Sequence, residues 1–307
     1  MHLLSIVLCT RNRAGQLRAA LESYRRLEAE AGWELVVVDN ASEDATARVI
    51  QEFAATSALT LRAVSEPRPG LARARNRGLA EARGEIVAFT DDDCYPDPDY
   101  VRVLRNVFED PRYDYAGGRV MLHDASDARI SIQEHGTAKE IEPNAFLASG
   151  QILGANMAFR RAPLLVLRGF DERLGAGTSF HSGEDTDLLR RAALAGMRGR
   201  FDPMLVVRHH HGRSQADAAA LRRSHQRGLG ACMAKFVANK HTCKQYIRHW
   251  YWALRSTGAL NALRQLGWGL LFAFKYGPSP QRVWRHPAAT IDASRESAVA
   301  KSVNSCI

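Results

Sequence analysis

The chain has 307 residues, 46% hydrophobic and 24% charged, with 42 Lys and Arg against 33 Asp and Glu and a net charge of +9. That composition is globular, sufficient for one large domain with an appendage or for two domains, and it excludes a fibrous or wholly disordered chain. The charge is uneven: residues 1–189 carry 22 basic and 29 acidic side chains, a net −7, whereas residues 190–286 carry 18 and 2, a net +16. Such asymmetry joins an acidic part to a basic surface suited to phosphate, nucleic acid or anionic lipid.

The five cysteines (Cys9, Cys94, Cys232, Cys243, Cys306) contain no CxxC pair. A disulfide framework or zinc site is therefore not expected, and a reducing, cytoplasmic setting fits. The apolar start, Met1 to Cys9, is too short for a signal segment, and Arg11 and Arg13 follow it rather than precede it. No run approaches the ~18–20 apolar residues of a membrane span. The expectation is a soluble or peripherally bound protein.

In chain order, Leu3–Leu8 predicts a strand, and Leu17, Ala20, Leu21 and Tyr24 predict a helix reaching Leu27. Leu35–Val38 predicts a second strand ending at Asp39 and Asn40. Ser42–Thr46 is expected to open a helix with capping residues and first-turn acids. Leu59–Val64 is a third strand, Leu71–Ala82 a helix stopped by Gly84, and Ile86–Phe89 a fourth strand ending in Asp91, Asp92 and Asp93. Further strands are expected around Gly117–Leu122, Met157–Phe159 and Leu205–Val207, with a helix over Asp185–Ala195. From Leu229 to Leu254 apolar residues keep a helical period with Lys235, Lys244 and Arg248 between them, and residues 287–307 read as a disordered tail.

Strand–helix alternation with continuous apolar strands predicts an α/β fold with mainly parallel strands covered on both faces. In such sheets ligands sit outside the carboxyl ends of the strands, where Thr10, Asp39 and the aspartate triplet all fall. Crowded carboxylates at Asp91–Asp93 suit a hard divalent cation, Mg²⁺ or Mn²⁺, that also holds phosphate; a solvated acidic turn is the alternative. Gly183-Glu184-Asp185-Thr186-Asp187 reads either as helix capping or as a general base at the mouth of a site. His209 and His211 share a face of an extended segment and are candidates for a metal or phosphate, against a plain surface tract. No P-loop, dinucleotide fingerprint or nucleophile elbow occurs.

Taken together, Ser5-Ile6-Val7-Leu8-Cys9-Thr10-Arg11-Asn12, Val36-Val37-Val38-Asp39-Asn40-Ala41-Ser42 and the Gly70–Gly78 segment are followed by Phe89-Thr90-Asp91-Asp92-Asp93. Gly154-Ala155-Asn156-Met157, Gly169-Phe170-Asp171-Glu172 and Gly183–Leu188 complete the series. Over about residues 3 to 213 this resembles the inverting family 2 glycosyltransferases of the GT-A fold.

The resemblance implies a Rossmann-like nucleotide-diphospho-sugar transferase fold, a nucleotide-sugar donor (UDP preferred), a divalent metal and a DxD motif. It assigns Thr10, Asn12, Asp39, Arg75, Asp91 and Asp92 to the donor nucleotide, and Asp93 with Asp91 and His209 or His211 to the metal. Gly154 and Asn156 go to the acceptor, and Asp185, or Glu184, is the base. It places the catalytic domain at 1–215, after which charge and composition mark a basic, aromatic-rich helical appendage at 216–286 and the tail at 287–307. Trp250, Tyr251, Trp252, Trp268 and Phe274 among cations suggest that 229–286 meets an anionic membrane surface, as an alternative to a helix packed on the catalytic part.

The implied role is cell-surface glycan, polysaccharide or glycolipid synthesis on a glycan or lipid-linked acceptor, in the cytoplasm or peripheral on the inner face of the cell membrane. Two other classes remain: a sugar-phosphate nucleotidyltransferase, which also needs metal-binding aspartates, and a basic nucleic-acid-binding protein. The latter lacks any helix-turn-helix, RRM or zinc pattern, so no nucleic acid is expected.

Overall fold

The computed structural model describes residues 3–28, 31–239, 242–257 and 259–277. The tail expected at 287–307, Cys306 and the end of the appendage lie outside the described residues.

The first half alternates as the apolar runs require: β1 (Leu4–Thr10), α1 (Ala14–Tyr24), β2 (Trp33–Asp39), α2 (Thr46–Thr56), β3 (Leu61–Ser65), α3 (Leu71–Glu81) and β4 (Ile86–Asp91). A short β5 (Cys94–Pro96), which the sequence did not announce, leads to α4 (Tyr100–Glu109), β6 (Tyr115–Leu122), β7 (Lys139–Ile141) and β8 (Met157–Arg160). Then follow α5 (Arg161–Val166), α6 (Glu184–Leu194), β9 (Gly199–His209), α7 (Gln215–Val237), α8 (Cys243–Thr257) and α9 (Ala259–Tyr276).

One mixed sheet runs in the order β3-β2-β1-β4-β8-β6-β9-β5, with β7 also on β9. The four first strands pair in parallel, β8 is antiparallel to both β4 and β6, and β6 and β9 are parallel. Alternate side chains of the central strands enter opposite cores. Leu4, Ile6, Leu8, Leu35 and Val37 pack under α1, α2 and α4, while Val7, Val36, Val38, Val87 and Phe89 pack under α3, α5 and α6. Both faces are covered, which is why these strands read as unbroken apolar runs.

The chain runs β1, β2, β3 outward and returns on the other side of β1 with β4, so the sheet switches direction between β1 and β4. Register puts Thr10 opposite Asp39 and Cys9 opposite Asp91, which brings the three polar strand ends to one edge.

Two expectations are corrected. The first turn of α2 holds no acid and its N-cap, Ala45, makes no side-chain cap bond. Asp44 instead accepts from Ala14 N and Thr46 N, at 3.2 and 2.9 Å, tying the turn before α2 to the start of α1. The segment Leu229–Leu254 is not one helix. The Thr242 hydroxyl donates to the Phe236 carbonyl at the end of α7 (2.5 Å), and Tyr246 stacks on Phe236 with ring centres 4.7 Å apart, so the chain turns back as α8.

Candidate active site

At the β1/β4 switch lies a cleft of about 670 Å³. It is lined by Cys9, Thr10, Arg75 and Asp91–Asp93, by Gly154 and Gly183–Thr186, and by His209, Arg213, Arg222 and His225.

Arg75 organises it. α3 lies close on the sheet at Gly78, where a Cβ would collide with Val7, and this carries Arg75 beneath the strand ends at 2% exposure. Its guanidinium donates to Asp91 Oδ1 and Glu184 Oε1, both at 2.9 Å, and to the Gly154 carbonyl at 3.3 Å. The ring of Phe170 lies 5.5 Å from the guanidinium carbon. One buried cation therefore spans the two acidic motifs, which are 93 residues apart between Asp91 and Glu184. It acts here by positioning those carboxylates.

The aspartate triplet divides its tasks. Asp91 is partly open to the cleft, its side chain 32% exposed, while Asp92 and Asp93 are buried. Arg13 reaches both, Nε at 3.1 Å from Asp92 Oδ1 and Nη2 at 2.7 Å from Asp93 Oδ2. Burial pushes the Asp92 carboxyl up to about 7 against the pull of Arg13. Burial would raise Asp93 as well, but the hydrogen bond and charge of His209 and the charge of Arg13 hold it down to about 2. His209 Nε2 lies 3.2 Å from Asp93 Oδ1, and although burial disfavours its charge, that carboxylate raises its pKa above the usual value.

Asp93, Cys94 and His209 form a group with ligand atoms within 4.8 Å of one another. A carboxylate oxygen and an imidazole nitrogen suit Mg²⁺ or Mn²⁺. The Cys94 thiol, which burial pushes well above its ordinary pKa, stays protonated and does not suit a hard cation. His211 stands beside His209, ring centres 4.9 Å apart. Both its nitrogens are engaged, Nε2 at 2.9 Å from the Ala128 carbonyl and Nδ1 accepting from Arg213 N at 3.0 Å.

The two carboxylates at the start of α6 have different surroundings. Glu184 is buried against Arg75, and burial with the neighbouring Asp185 pushes its carboxyl well above the ordinary range despite that partner. Asp185 is half-buried and lines the cleft, its Oδ2 accepting from Gly154 N at 3.0 Å and its Oδ1 from Thr186 N at 2.5 Å.

A side chain at Gly154 would bring a Cβ to 3.0–3.1 Å from both Arg75 and Asp185, so glycine lets the wall approach these groups. Asn156 does not line the cleft. It is fully buried, donating to the Arg119 and Leu205 carbonyls at 2.8 and 3.0 Å where the β6–β9 register shifts, and accepting from the Tyr100 hydroxyl at 3.1 Å. Asn12 and Asp39 also stand outside the lining. Asn12 (φ +52) accepts from Glu43 N at 2.7 Å, and Asp39 accepts from Ser42 N at 3.2 Å.

Sequence reasoning assigned no role to Arg13, Asn40 or the α7 wall. Asn40 lines the cleft and ties the 66–70 segment to β2, donating to the Glu66 and Arg68 carbonyls and accepting from Gly70 N at 2.8 Å. Only its place directly after Asp39 at a strand end hinted at this.

α7 packs on the turn before the two carboxylates. Cys232 Sγ donates to the Gly183 carbonyl at 3.2 Å, and Gly183 adopts φ +93 as the N-cap of α6. A Cβ at Gly228 would collide with the Ser182 backbone. Gly228→Ala is expected to cost about 1–3 kcal/mol of stability and to lower kcat by ~10-fold or more through displacement of Asp185. A melting curve and initial rates check it, and an unchanged kcat would show that this turn does not set the carboxylate.

The family model for glycosyl transferase family 2 matches residues 5–167, more than half of the chain. A pre-mycofactocin glycosyltransferase of Mycobacterium tuberculosis is 28% identical over 225 residues, covering 67% of this chain and 42% of that protein. The chain thus spans less than half the length of that relative. An uncharacterized glycosyltransferase of Haemophilus influenzae is 24% identical over 61% of this chain and 60% of its own length.

Among solved structures, the Pyrobaculum calidifontis mannosyltransferase PcManGT in complex with GDP-Man and Mn²⁺ superposes with a TM-score of 0.64 at 23% identity. It covers 97% of this chain and 81% of its own. Staphylococcus aureus TarS 1–349 in complex with UDP gives a TM-score of 0.57 at 21% identity over 74% and 65% of the two chains. The mixed sheet, the switch point and these likenesses agree, and the chain belongs to glycosyl transferase family 2 and has the GT-A fold.

Proposed function

We propose that this protein moves a sugar from a nucleoside-diphospho-sugar to an acceptor hydroxyl with inversion at the anomeric carbon. The donor is taken as a UDP-sugar, with GDP the alternative raised by the GDP-Man bound to the mannosyltransferase neighbour. The acceptor is a glycan or a lipid-linked sugar in cell-surface glycan or glycolipid synthesis, on the cytoplasmic side of a membrane. The carrying observation is the buried Arg75 bridge, which holds the aspartate triplet and the Glu184–Asp185 pair around one cleft.

Thr10, Asp91 and Asp92 would face the donor, with Arg75 supporting Asp91 from below. Asp93, His209 and Asp91 would hold Mg²⁺ or Mn²⁺, whose chemistry there is to neutralise charge on the departing diphosphate. His211, with both nitrogens occupied, is left out of that set. Asp185 takes the proton of the acceptor hydroxyl. The acceptor oxygen bonds to the anomeric carbon on the face opposite the diphosphate, and the carbon–oxygen bond to the diphosphate breaks with its electron pair. The fixed Gly154 N–H keeps Asp185 oriented for this.

A thermal-shift screen of UDP, GDP and dTDP and their sugars, with and without Mn²⁺, tests the proposal. A matching nucleotide at a hundredfold excess over Kd should stabilise the fold by about 2.7 kcal/mol. The increment due to Mn²⁺ should disappear in Asp93→Asn. Turnover of a nucleoside triphosphate with a sugar phosphate, and no response to any nucleoside diphosphate, would instead make the chain a nucleotidyltransferase.

A further inference from the structure

Helix α9 has two apolar faces, and only one belongs to the core. Ala262, Gln265, Gly269 and Phe272 are buried, and against α7 the approach is close enough that a Cβ at Gly269 would lie 2.9 Å from the Gly230 carbonyl. The other face carries Leu260, Leu263, Leu270, Leu271 and Phe274 at helical spacing, all exposed, with Phe274 at 90%. Gly267, in the middle of this stripe, has nothing within 4 Å of where a Cβ would stand. An apolar stripe of this extent on a helix already packed by its opposite side marks an interaction surface.

Charge selects the occupant. No Asp or Glu occurs between Asp217 and Tyr276, whereas Lys244, Arg248, Arg255 and Arg264 are exposed on α8 and α9, beside the exposed Ile247 and Tyr251 of α8. An apolar partner protein would not need an acid-free border, but an anionic lipid surface attracts it. No helix of the described residues is long and apolar enough to cross a membrane, so the element is suited to lie on a bilayer with its leucines in the headgroup boundary.

We propose that the outward face of α9, with the cations of α8 and α9, docks the enzyme on an anionic lipid bilayer. This goes beyond the transfer reaction and stands whichever sugar is moved.

Flotation with vesicles of phosphatidylcholine containing one-third phosphatidylglycerol, against phosphatidylcholine alone, at low salt and without donor or acceptor, tests it. Binding to the anionic vesicles is expected to be at least ~10-fold stronger than to neutral ones and to fall as salt rises. The double variant Leu270→Glu/Phe274→Glu should bind at least ~10-fold more weakly, with an unchanged melting temperature because both side chains are exposed. Arg248→Glu/Arg264→Glu should lose the preference for anionic lipid.

Absence of binding to the anionic vesicles would overturn the proposal. So would a dimer in solution that becomes monomeric in Leu270→Glu/Phe274→Glu, since a second copy would then cover this face. The thermal-shift response to nucleotides is read separately, so failure of one reading leaves the other standing.

Discussion

Asp185→Asn is expected to lower kcat by about 10²–10⁴-fold while nucleotide affinity stays nearly unchanged. The amide is isosteric with the carboxylate and its oxygen can still accept from Gly154 N, so the cleft keeps its shape, and what disappears is the proposed proton acceptor. Glu184→Gln should behave differently. Glu184 is buried on Arg75, and its neutral variant weakens the bridge to Asp91, so melting temperature, donor binding and rate should fall together. Single-turnover rates, isothermal titration with the nucleotide and melting curves on both variants separate the roles. Equal loss of rate and nucleotide binding in Asp185→Asn would remove Asp185 as the base. A stable, nucleotide-binding but inactive Glu184→Gln would transfer the role of base from Asp185 to Glu184.

Lys235→Met is expected to destabilise the fold by about 3 kcal/mol, or roughly 6–12 °C in melting temperature. Lys235 is buried on α7 and pairs with Asp171, at 2.6 Å, and with Asp187 of α6, so it fastens α7 to the catalytic sheet region. Methionine fills the stem but leaves two buried carboxylates short of one cation. The expected cost lies at the low end for a broken buried pair because each carboxylate keeps another partner. Arg191 Nε is 2.8 Å from Asp187 and Arg173 Nη2 is 2.6 Å from Asp171.

Acid should act on the same cluster. Burial would raise the Asp171 carboxyl, but the hydrogen bonds and charges of Arg173 and Lys235 hold it well below its ordinary 3.8. A depressed carboxylate contributes stability above its unfolded value, and that contribution is lost as the pH falls below it. The wild type should therefore lose stability below about pH 4, and Lys235→Met should lose less over the same range. Melting curves across that range measure it. A cost under about 1 kcal/mol in Lys235→Met would show that the cluster is not what anchors α7.

The α7 anchor also ties the basic part of the chain to the acidic part. The sequence suggests an appendage with a surface of its own, and α9 carries exposed apolar residues. α7, however, forms a wall of the cleft through Arg222 and His225 and closes over the Ser182–Gly183 turn. The helical period of the 229–254 segment carries no sign of this, because periodicity reports which residues share a face and not what that face meets.

The parallel strands, their covered faces and the edge where polar residues gather were legible from sequence, because a strand buried on both sides must be apolar throughout and must end where it meets solvent or ligand. Leu4–Thr10, Trp33–Asp39 and Ile86–Asp91 each end on a polar residue for that reason, and the resemblance carried by those ends pointed to the family. The division of labour among like residues was not legible. Sequence spacing treats His209 and His211 alike, and Glu184 and Asp185 alike. Only the packing gives one of each pair a saturating partner, Ala128 and Arg213 for His211 and Arg75 for Glu184.

Arg13 was silent for the same reason, since its partner Asp93 lies 80 residues away. Asn156 sat inside a motif that suggested an acceptor site, yet its amide fills the β6–β9 irregularity, a feature formed by strands distant in the chain. The sequence by itself determined the α/β sheet, the ligand edge and the family, because these follow from local apolar periodicity and short motifs. The tertiary structure alone decided which carboxylate stays open to the cleft, which histidine faces the aspartates and which helix closes the site, because desolvation and long-range hydrogen bonds exist only once the chain is packed.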